Sequence, residues 1–191
     1  RPEGAPVGPD AVRRAVLDVA ADRFARQGIG ATTRRELADA AGVHPNLISR
    51  YLGDRSSLVQ AVLDDLAVQV AAELLAVGTG ALSYEPDTAA WRWTRIVVQA
   101  VITEHLSVEV DPEAWNPVKA IADVLVEALG ADPRSARIRA AHVVAAALGW
   151  RLLEPYLVIA GGLEDEPIEL LRAELNRAHQ VIGALPVEDV G

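Results

Sequence analysis

Apolar residues recur every three or four positions along most of this 191-residue chain. Val12, Val16 and Phe24 show the spacing in the first such segment, and it is the period of a helix with one buried face. Alternation of apolar and polar residues, which is typical of strands, never extends beyond a few positions. The pattern therefore predicts an all-α protein.

The predicted helices share one kind of start and one kind of end. An acidic or amide residue precedes several starts, often followed by proline, and glycine follows several ends. These residues cap a helix, fit its first turn and terminate it, respectively. Asp10 is the predicted cap of a first helix ending at Gly28, and Asp54 that of a helix from Arg55 to about Val77. Further helices are predicted after Asp87 to about Leu106 and over 117–129, 133–160 and 167–182, with a short piece opened by Asp111-Pro112.

The segment from Thr33 to Leu52 predicts two short helices joined by a sharp turn. Thr33 and Glu36 have the spacing of a capping box, in which each side chain bonds the backbone amide of the other residue. Gly42 can adopt the positive φ that a sharp turn needs. Pro45 fits the first turn of the second helix. This order is that of a helix-turn-helix, whose second helix enters the DNA major groove.

The second helix of this motif has two chemically different faces. Its predicted inward residues are Leu47, Ile48 and Tyr51, and its predicted outward residues are Asn46, Ser49 and Arg50. A plain helical hairpin would match part of this pattern. The capping box, the glycine turn and the packing positions together favour a DNA-binding motif.

Charge is unevenly distributed along the chain, which carries a net charge of −9. Residues 1–57 contain nine basic and seven acidic side chains, a net charge of +2. The remaining residues contain nine basic and twenty acidic side chains, a net charge of −11. Such asymmetry is typical of a small DNA-reading head on an acidic body.

Several classes of function are disfavoured by what the sequence lacks. The chain has no Cys, which excludes disulfides, thiol catalysis and Cys-ligated zinc. No His lies three or four residues from another, so a metal site is not expected. No nucleophile motif, phosphate-binding glycine loop or clustered acid–base pair suggests an enzyme. No secretory signal is apparent, and charged residues interrupt the most apolar segment, 138–163, so we expect a cytoplasmic protein without a membrane span.

The pattern F-x3-G-x3-TT-x3-LA-x2-AGV-x3-LI-x2-Y-x3-R-x2-L, from Phe24 to Leu58, resembles the N-terminal head of the TetR family of bacterial transcription regulators. The resemblance covers about the first third of the chain. It implies an all-helical homodimer that binds palindromic double-stranded DNA and associates with the nucleoid when bound. It also implies release by a small-molecule effector, usually with repression of a nearby gene. The expected domains are a flexible arm (1–9), a DNA-binding three-helix head (10–57) and an effector-binding and dimerisation helical bundle (58–191).

Residue chemistry assigns roles within the DNA-binding head. Asn46 can pair with adenine, and His44 and Ser49 can contact a base edge or a phosphate. The other predicted DNA-binding residues contact the DNA backbone or position the head on it. They are Thr33, Arg34, Arg35, Pro45, Arg50, Tyr51 and Arg55. Three positions depart from the family pattern, which often has Ser, Tyr and Lys where His44, Ile48 and Arg55 stand. Ile48 cannot make the phosphate contact expected of a Tyr hydroxyl there.

The last two long helices are the predicted dimer surface. Small residues in the first of them would let helices approach closely: Ala140, Ala141, Ala145, Ala146, Ala147 and Gly149. The last helix has an apolar stripe: Ile168, Leu171, Leu175, Ala178 and Ile182. Packing within a single chain is the alternative explanation.

Aromatic and His residues in the body are candidates for an effector pocket. They are Trp91, His105, Trp115, His142, Trp150 and Tyr156. Ordinary core packing is the alternative for each of them. No cofactor is expected. The alternative function is a DNA-binding regulator without a small-molecule effector, either constitutive or controlled by a protein.

Overall fold

A computed structural model describes residues 6–77, 87–103 and 116–184. These residues form eight α-helices and no strand, which confirms the all-α prediction. The helices are α1 (Pro9–Gln27), α2 (Arg34–Ala40), α3 (Pro45–Leu52), α4 (Arg55–Val77), α5 (Ala89–Ile102), α6 (Pro117–Leu129), α7 (Pro133–Ala160) and α8 (Ile168–Ala184).

Three predicted helix caps are present. The side chains of Asp54, Asn116 and Asp132 accept hydrogen bonds from backbone amides three residues later, at 2.8, 2.8 and 2.9 Å. Each bond satisfies an amide that has no partner within the helix. Helices α4, α6 and α7 therefore begin where the sequence predicted.

The first helix begins differently from the prediction. Pro9 is its first residue and Gly8 stands at the N-cap, with no side-chain cap, so Asp10 lies in the first turn instead of capping the helix. A proline has no N–H to leave unsatisfied at this position, and its φ suits the helix. Pro9 therefore belongs to α1 and not to the predicted arm, of which residues 1–5 lie outside the described part.

The predicted helix after Asp87 is also shifted. Thr88 is the N-cap, and its side chain accepts from the amide of Trp91 at 3.2 Å. The helix ends at Ile102, with Thr103 as C-cap, so the expected extension to about Leu106 is wrong. The Asp111-Pro112 piece lies outside the described residues.

The chain forms two compact units, which in the described part comprise 6–70 with 87–103 and 71–77 with 116–184. In the first unit, α1 packs against α2, α3 and α5. Phe24 is fully buried there, as predicted, together with Leu37 and Ile48. Helix α5 falls within the predicted effector and dimerisation domain but packs on α1. The functional domain boundary at residue 57 stays a prediction.

In the second unit, α7 packs against both α6 and α8. Its core contains Ala122, Leu125, Ala136 and Ala140. Ala140 therefore packs within the chain against α6, as the alternative explanation held, and Ala147 is buried as well. These two residues are not available to a dimer surface.

Helix α7 nevertheless leaves many apolar side chains exposed. The most exposed are Leu152, Leu153, Tyr156 and Ile159, and Leu170 and Val181 of α8 are exposed as well. In the described part of the chain, α7 alone has the length and apolar composition of a membrane-spanning helix. One such helix is a weak indication of a membrane protein.

Candidate nucleic-acid interface

Helix α2 starts with the predicted capping box. The Thr33 hydroxyl accepts from the amide of Glu36 at 3.2 Å, and the Glu36 carboxylate accepts from the amide of Thr33 at 2.7 Å. The bond from the Thr33 amide, and then a bond of 2.7 Å that the Thr33 hydroxyl donates to the same carboxylate, lower the pKa of Glu36 below its usual value. The amide and hydroxyl of Thr33 are thus both engaged, so Thr33 fixes the start of α2.

The turn between α2 and α3 depends on Gly42. Its φ is +65°, a left-handed conformation that side chains with a Cβ rarely adopt. The next amide, that of Val43, donates to the carbonyl of Ala38 at 2.9 Å. This bond closes the end of α2 and turns the chain into α3.

Helix α3 is capped by His44. The imidazole Nδ1 accepts from the amide of Asn46 at 3.2 Å, and Pro45 occupies the first helical position. Helix α3 ends at Leu52, and Gly53, whose φ is +75°, is its C-cap. The eight-residue helix is therefore defined by local chemistry at both ends.

Burial separates the two faces of α3. Ile48 and Leu52 are buried, whereas Asn46, Ser49 and Arg50 are exposed as predicted. Leu47 and Tyr51, predicted to face inward, are only half-buried. The core residue that the sequence pattern missed is Leu52.

The departure expected at Ile48 does not fall on the exposed face. Ile48 has no exposed surface, so this position belongs to the core of the head. The exposed side chain beside it is Ser49. This burial confirms the predicted inward position of Ile48, and the altered set of phosphate contacts stays a prediction.

Three of the predicted backbone-contacting arginines lie at the surface. Arg34 and Arg35 are exposed at the start of α2, and Arg35 lies 3.8 Å from Asp39, a distance and exposure that make the pair weak. Arg50 is exposed on α3, with its guanidinium 5.6 Å from the ring centre of Tyr51. Arg50 and Asn46 are thus both exposed on α3, and Arg34 and Arg35 are exposed on α2.

Arg55 is placed differently from the other predicted contacts. Its guanidinium donates to the carbonyls of Ile29 and Thr32, the latter at 2.5 Å, and lies 6.0 Å from the ring centre of Phe24. It therefore binds the loop between α1 and α2. Arg14 of α1 is likewise engaged within the unit, since it is paired with Asp65 of α4 at 2.8 Å.

The predicted effector residues are divided between the two units. Trp91 lies in the first unit, where the guanidinium groups of Arg26 and Arg95 lie 5.9 and 5.1 Å from its ring centre. His142 and Tyr156 are exposed on α7. His105 and Trp115 lie outside the described residues.

Trp150 is half-buried on α7 and takes part in a polar network. Its Nε1 donates to Glu154 at 2.7 Å, and the same carboxylate is bonded by Arg172 of α8 at 3.2 Å. This network links the last two helices within the second unit. Trp150 thus has a structural partner on its own helix.

A shallow cleft of about 230 Å³ lies between α6 and α7. It is lined by Ala122, Asp123, Val126, Glu127, Pro133 and Arg137. Of the predicted effector residues that the structure describes, Trp91, His142, Trp150 and Tyr156, none lines this cleft. Its volume is below the roughly 300–1,000 Å³ of typical small-molecule sites.

Comparison with known proteins places this arrangement among transcription regulators. Residues 16–62 match the model of the bacterial regulatory proteins of the tetR family. The chain is 30% identical over 173 residues to the HTH-type transcriptional repressor Rv3405c of Mycobacterium tuberculosis, a match that covers 91% of this chain and 89% of that protein. It is 40% identical over 58 residues, 28% of each chain, to the HTH-type transcriptional repressor KstR2 of Rhodococcus jostii.

Solved structures share the fold. A crystal structure from Rhodococcus sp., of a protein proposed to be a TetR-family transcriptional regulator, superimposes with a TM-score of 0.66. It is 23% identical, and the match covers 91% of this chain and 98% of that one. A second such protein, from Shewanella sp. PV-4, has a TM-score of 0.51 at 16% identity, over 90% of this chain and 95% of that one.

Proposed function

From the premise that this chain belongs to the TetR family of bacterial regulatory proteins, and is thus a helix-turn-helix transcription regulator, we propose that it is a repressor acting in the cytoplasm. It binds a palindromic operator as a homodimer and leaves the DNA when a small molecule binds the C-terminal part of the chain. Two heads related by a two-fold axis would read two half-sites about 34–36 Å apart or a multiple of that distance.

The observation that carries the DNA-binding proposal is the two-faced α3. Ile48 and Leu52 anchor the helix in the core, while its first turn and outer face stay free for the major groove. Recognition helices contact base edges with their N-terminal residues. Asn46, in the first turn, has both a donor and an acceptor and can bond adenine at two atoms.

The cap at His44 limits what this residue can read. A neutral imidazole whose Nδ1 accepts a hydrogen bond carries its proton on Nε2. Because its Nδ1 accepts from the amide of Asn46, His44 can offer only its Nε2–H donor to DNA. It therefore suits an acceptor such as guanine O6 or N7, or a phosphate oxygen.

Phosphate contacts are assigned to the exposed cations beside α3. Arg34, Arg35 and Arg50 can neutralise DNA phosphates, and the Tyr51 hydroxyl can add a hydrogen bond. Such contacts set the position and orientation of the head but do not read sequence. Thr33 and Arg55 act indirectly, because their polar groups hold α2 and the loop before it.

The dimer proposal rests on the exposed apolar residues of α7 and α8. Leu153, Tyr156 and Ile159 are at least half exposed, and a contiguous apolar surface of this kind marks an association site. A C2 dimer pairs the same surface on both chains. Sedimentation at micromolar concentration tests this, and a monomer there would refute it.

Effector release is the part of the proposal that rests most on family membership. The half-buried Trp150, with its Glu154–Arg172 network, offers an aromatic surface and a polar anchor in the second unit. The second candidate function is a regulator without a small-molecule effector, either constitutive or controlled by a protein. Screening metabolites for release of bound operator separates the two functions.

The decisive experiment is selection of bound DNA from a random pool. The proposal expects enrichment of one palindrome with half-sites one turn, or a multiple of one turn, apart. Enrichment of a single, non-repeated half-site would contradict the dimeric mode. Binding of every sequence alike would contradict specific recognition.

A further inference from the structure

Several backbone groups of the loop that leads into the helix-turn-helix have hydrogen-bond partners. Between α1 and α2, the Gly28 amide donates to the carbonyl of Phe24 at 3.1 Å, and the Gly28 carbonyl accepts from the Thr32 hydroxyl at 2.9 Å. The Thr33 amide donates to Glu36 at 2.7 Å. Buried backbone groups need such partners, and here the partners fix the path of the loop.

Helix α5 supplies the partner that the loop itself cannot. The amide of Ile29 donates to Oε1 of Gln99 at 2.9 Å, and the Gln99 Nε2 lies 3.5 Å from the carbonyl of Phe24. One turn earlier on α5, Arg95 donates to the carbonyl of Ala25 at 2.7 Å. Two side chains of α5 therefore bind the end of α1 and the start of the loop.

Helix α4 holds the same loop through its other backbone groups. The Arg55 guanidinium donates to the carbonyls of Ile29 and Thr32. Ile29 thus has its N–H bonded by α5 and its C=O bonded by α4. Its side chain is 1% exposed, so a lost partner at this peptide leaves a group that bulk water does not readily satisfy.

Gly28 combines a positive φ, which favours glycine, with a close approach to Gln99 of α5. Gly28 has a φ of +100°, and a Cβ built on it would lie 3.3 Å from the Gln99 Oε1. A larger residue would be strained there and would press on the Gln99 amide. The loop conformation and the Gln99 contact are therefore parts of one arrangement.

We propose that Gln99 is a positioning residue for DNA binding: it fixes the orientation of α2 and α3 on α1 from a helix that lies outside the helix-turn-helix. This rests on the proposed DNA-binding function. The consequence is that a displacement of α5 relative to α1 alters operator affinity through one hydrogen bond at Ile29. Neither Gln99 nor Arg95 stands out in the sequence, because their partners are backbone atoms about seventy residues away.

The first test compares Gln99→Ala with Val101→Ala in the full chain. Val101 lies two residues further on α5 and is 56% exposed, so its truncation is a matched control. Gln99→Ala is expected to speed hydrogen exchange of the Ile29 amide and to weaken binding to the selected operator about fivefold to tenfold. Val101→Ala should change neither. Faster exchange at Ile29 with unchanged operator affinity would overturn the proposal.

A second variant separates positioning from general damage to the fold. Gln99→Glu keeps an oxygen that accepts from the Ile29 amide but loses the amide donor facing Phe24. Its operator affinity is expected to lie between those of the wild type and Gln99→Ala, with Ile29 exchange near that of the wild type. Affinity as low as that of Gln99→Ala, with Ile29 still protected, would show that the Ile29 bond does not position the helices.

The third measurement does not require DNA, so it separates this inference from the proposed function. The chain has no Cys, and the exposed Ala11 of α1 and Ala40 of α2 can therefore be replaced by Cys and spin-labelled as one specific pair. Dilution with unlabelled protein restricts the signal to pairs within one chain. The α1–α2 distance distribution should broaden or shift in Gln99→Ala. An unchanged distribution overturns the positioning role, whereas failure of the wild type to select any DNA counts against the proposed function alone.

Discussion

The predicted head (10–57) and the helices α7 and α8 differ in the burial of their large apolar side chains. In the head, Phe24, Leu37 and Ile48 are fully buried, and side chains of α4 and α5 bond both backbone groups of Ile29 in the loop before α2. On α7, Tyr156 and Ile159 are about two-thirds exposed. The head thus buries its large apolar side chains within one chain, whereas α7 leaves such side chains exposed on the proposed dimer surface. Mutations should act on folding in the first case and on association in the second.

The largest effect is expected from truncation in the core of the head. Phe24→Ala removes a fully buried ring and should lower the free energy of unfolding by about 3–5 kcal/mol. The loss should not depend on protein concentration, because the ring is buried within one chain. Denaturant titration at two protein concentrations checks this, with exposed Val7→Ala as the control. A loss below about 1 kcal/mol would show that the head core is not the source of its stability.

A smaller effect is expected on the exposed face of α7. Ile159→Asp places a charge on the proposed dimer surface and should weaken self-association roughly thirtyfold or more, the factor that corresponds to a hot-spot loss of about 2 kcal/mol. Val68→Asp is the matched control, because Val68 is 68% exposed and lies on α4 in the first unit. Sedimentation equilibrium measures both. Equal weakening by the two variants would remove the distinction between the units.

Asn46→Ala and Arg35→Ala, at two exposed positions of the head, should affect DNA binding in different ways. Asn46→Ala should relax preference at one base pair of each half-site, with a loss of about 1–3 kcal/mol in discrimination. Arg35→Ala should weaken binding to all DNA alike, because phosphate contacts position without specifying sequence. Affinities for operator and scrambled DNA measure both. Equal losses on the two DNAs for Asn46→Ala would contradict its reading role.

The smallest effect is expected from the helix-capping carboxylates Asp54 and Asp132. Their contribution to the pH dependence of stability should be similar in the two units. Hydrogen bonds from the amides of Ser57 and Ser135 lower the pKa of Asp54 and Asp132, respectively, below the usual 3.8. A carboxylate whose pKa is lowered by folding stabilises the protein above its unfolded-state pKa. That stabilisation is lost as the pH falls through the lower folded-state pKa.

Asp54→Asn and Asp132→Asn provide the corresponding test, because Asn can still accept the capping bond but does not titrate. Each variant should show a flatter fall of unfolding free energy below about pH 4 than the wild type does. Similar changes in the two variants would show that capping depends on local residues. The difference between the head and α7–α8 would then lie in tertiary packing and not in capping. An unchanged slope would show that the cap does not contribute to acid sensitivity.

Features set by neighbouring residues were predictable from the sequence. The capping box of Thr33 and Glu36, the turn at Gly42 and the caps at Asp54, Asn116 and Asp132 each depend on residues within a few positions. Their chemistry is therefore visible in the sequence order. The start of α1 was predicted one residue or two too late, because Asp10 is a good N-cap and Pro9 is a good first helical residue. In the structure α1 begins at Pro9.

Roles set by distant contacts were not predictable. Arg55 looks like a surface cation in the sequence, but its partners are carbonyls 23 and 26 residues away. Helical periodicity placed Tyr51 inside and missed Leu52, because a two-turn helix gives few repeats from which to fix the inward direction. The packing of α5 on α1 likewise needs the tertiary fold.

The position of Arg55 has a consequence for the salt dependence of the proposed DNA binding. Each cation that neutralises a DNA phosphate releases condensed counterions, so the slope of log K against log salt counts such contacts. Arg55 is committed to the carbonyls of Ile29 and Thr32, which leaves Arg34, Arg35 and Arg50 of the four predicted arginine contacts in each head. A dimer should therefore show a slope of about −5 and not the roughly −7 expected if all four arginines of each head met phosphates.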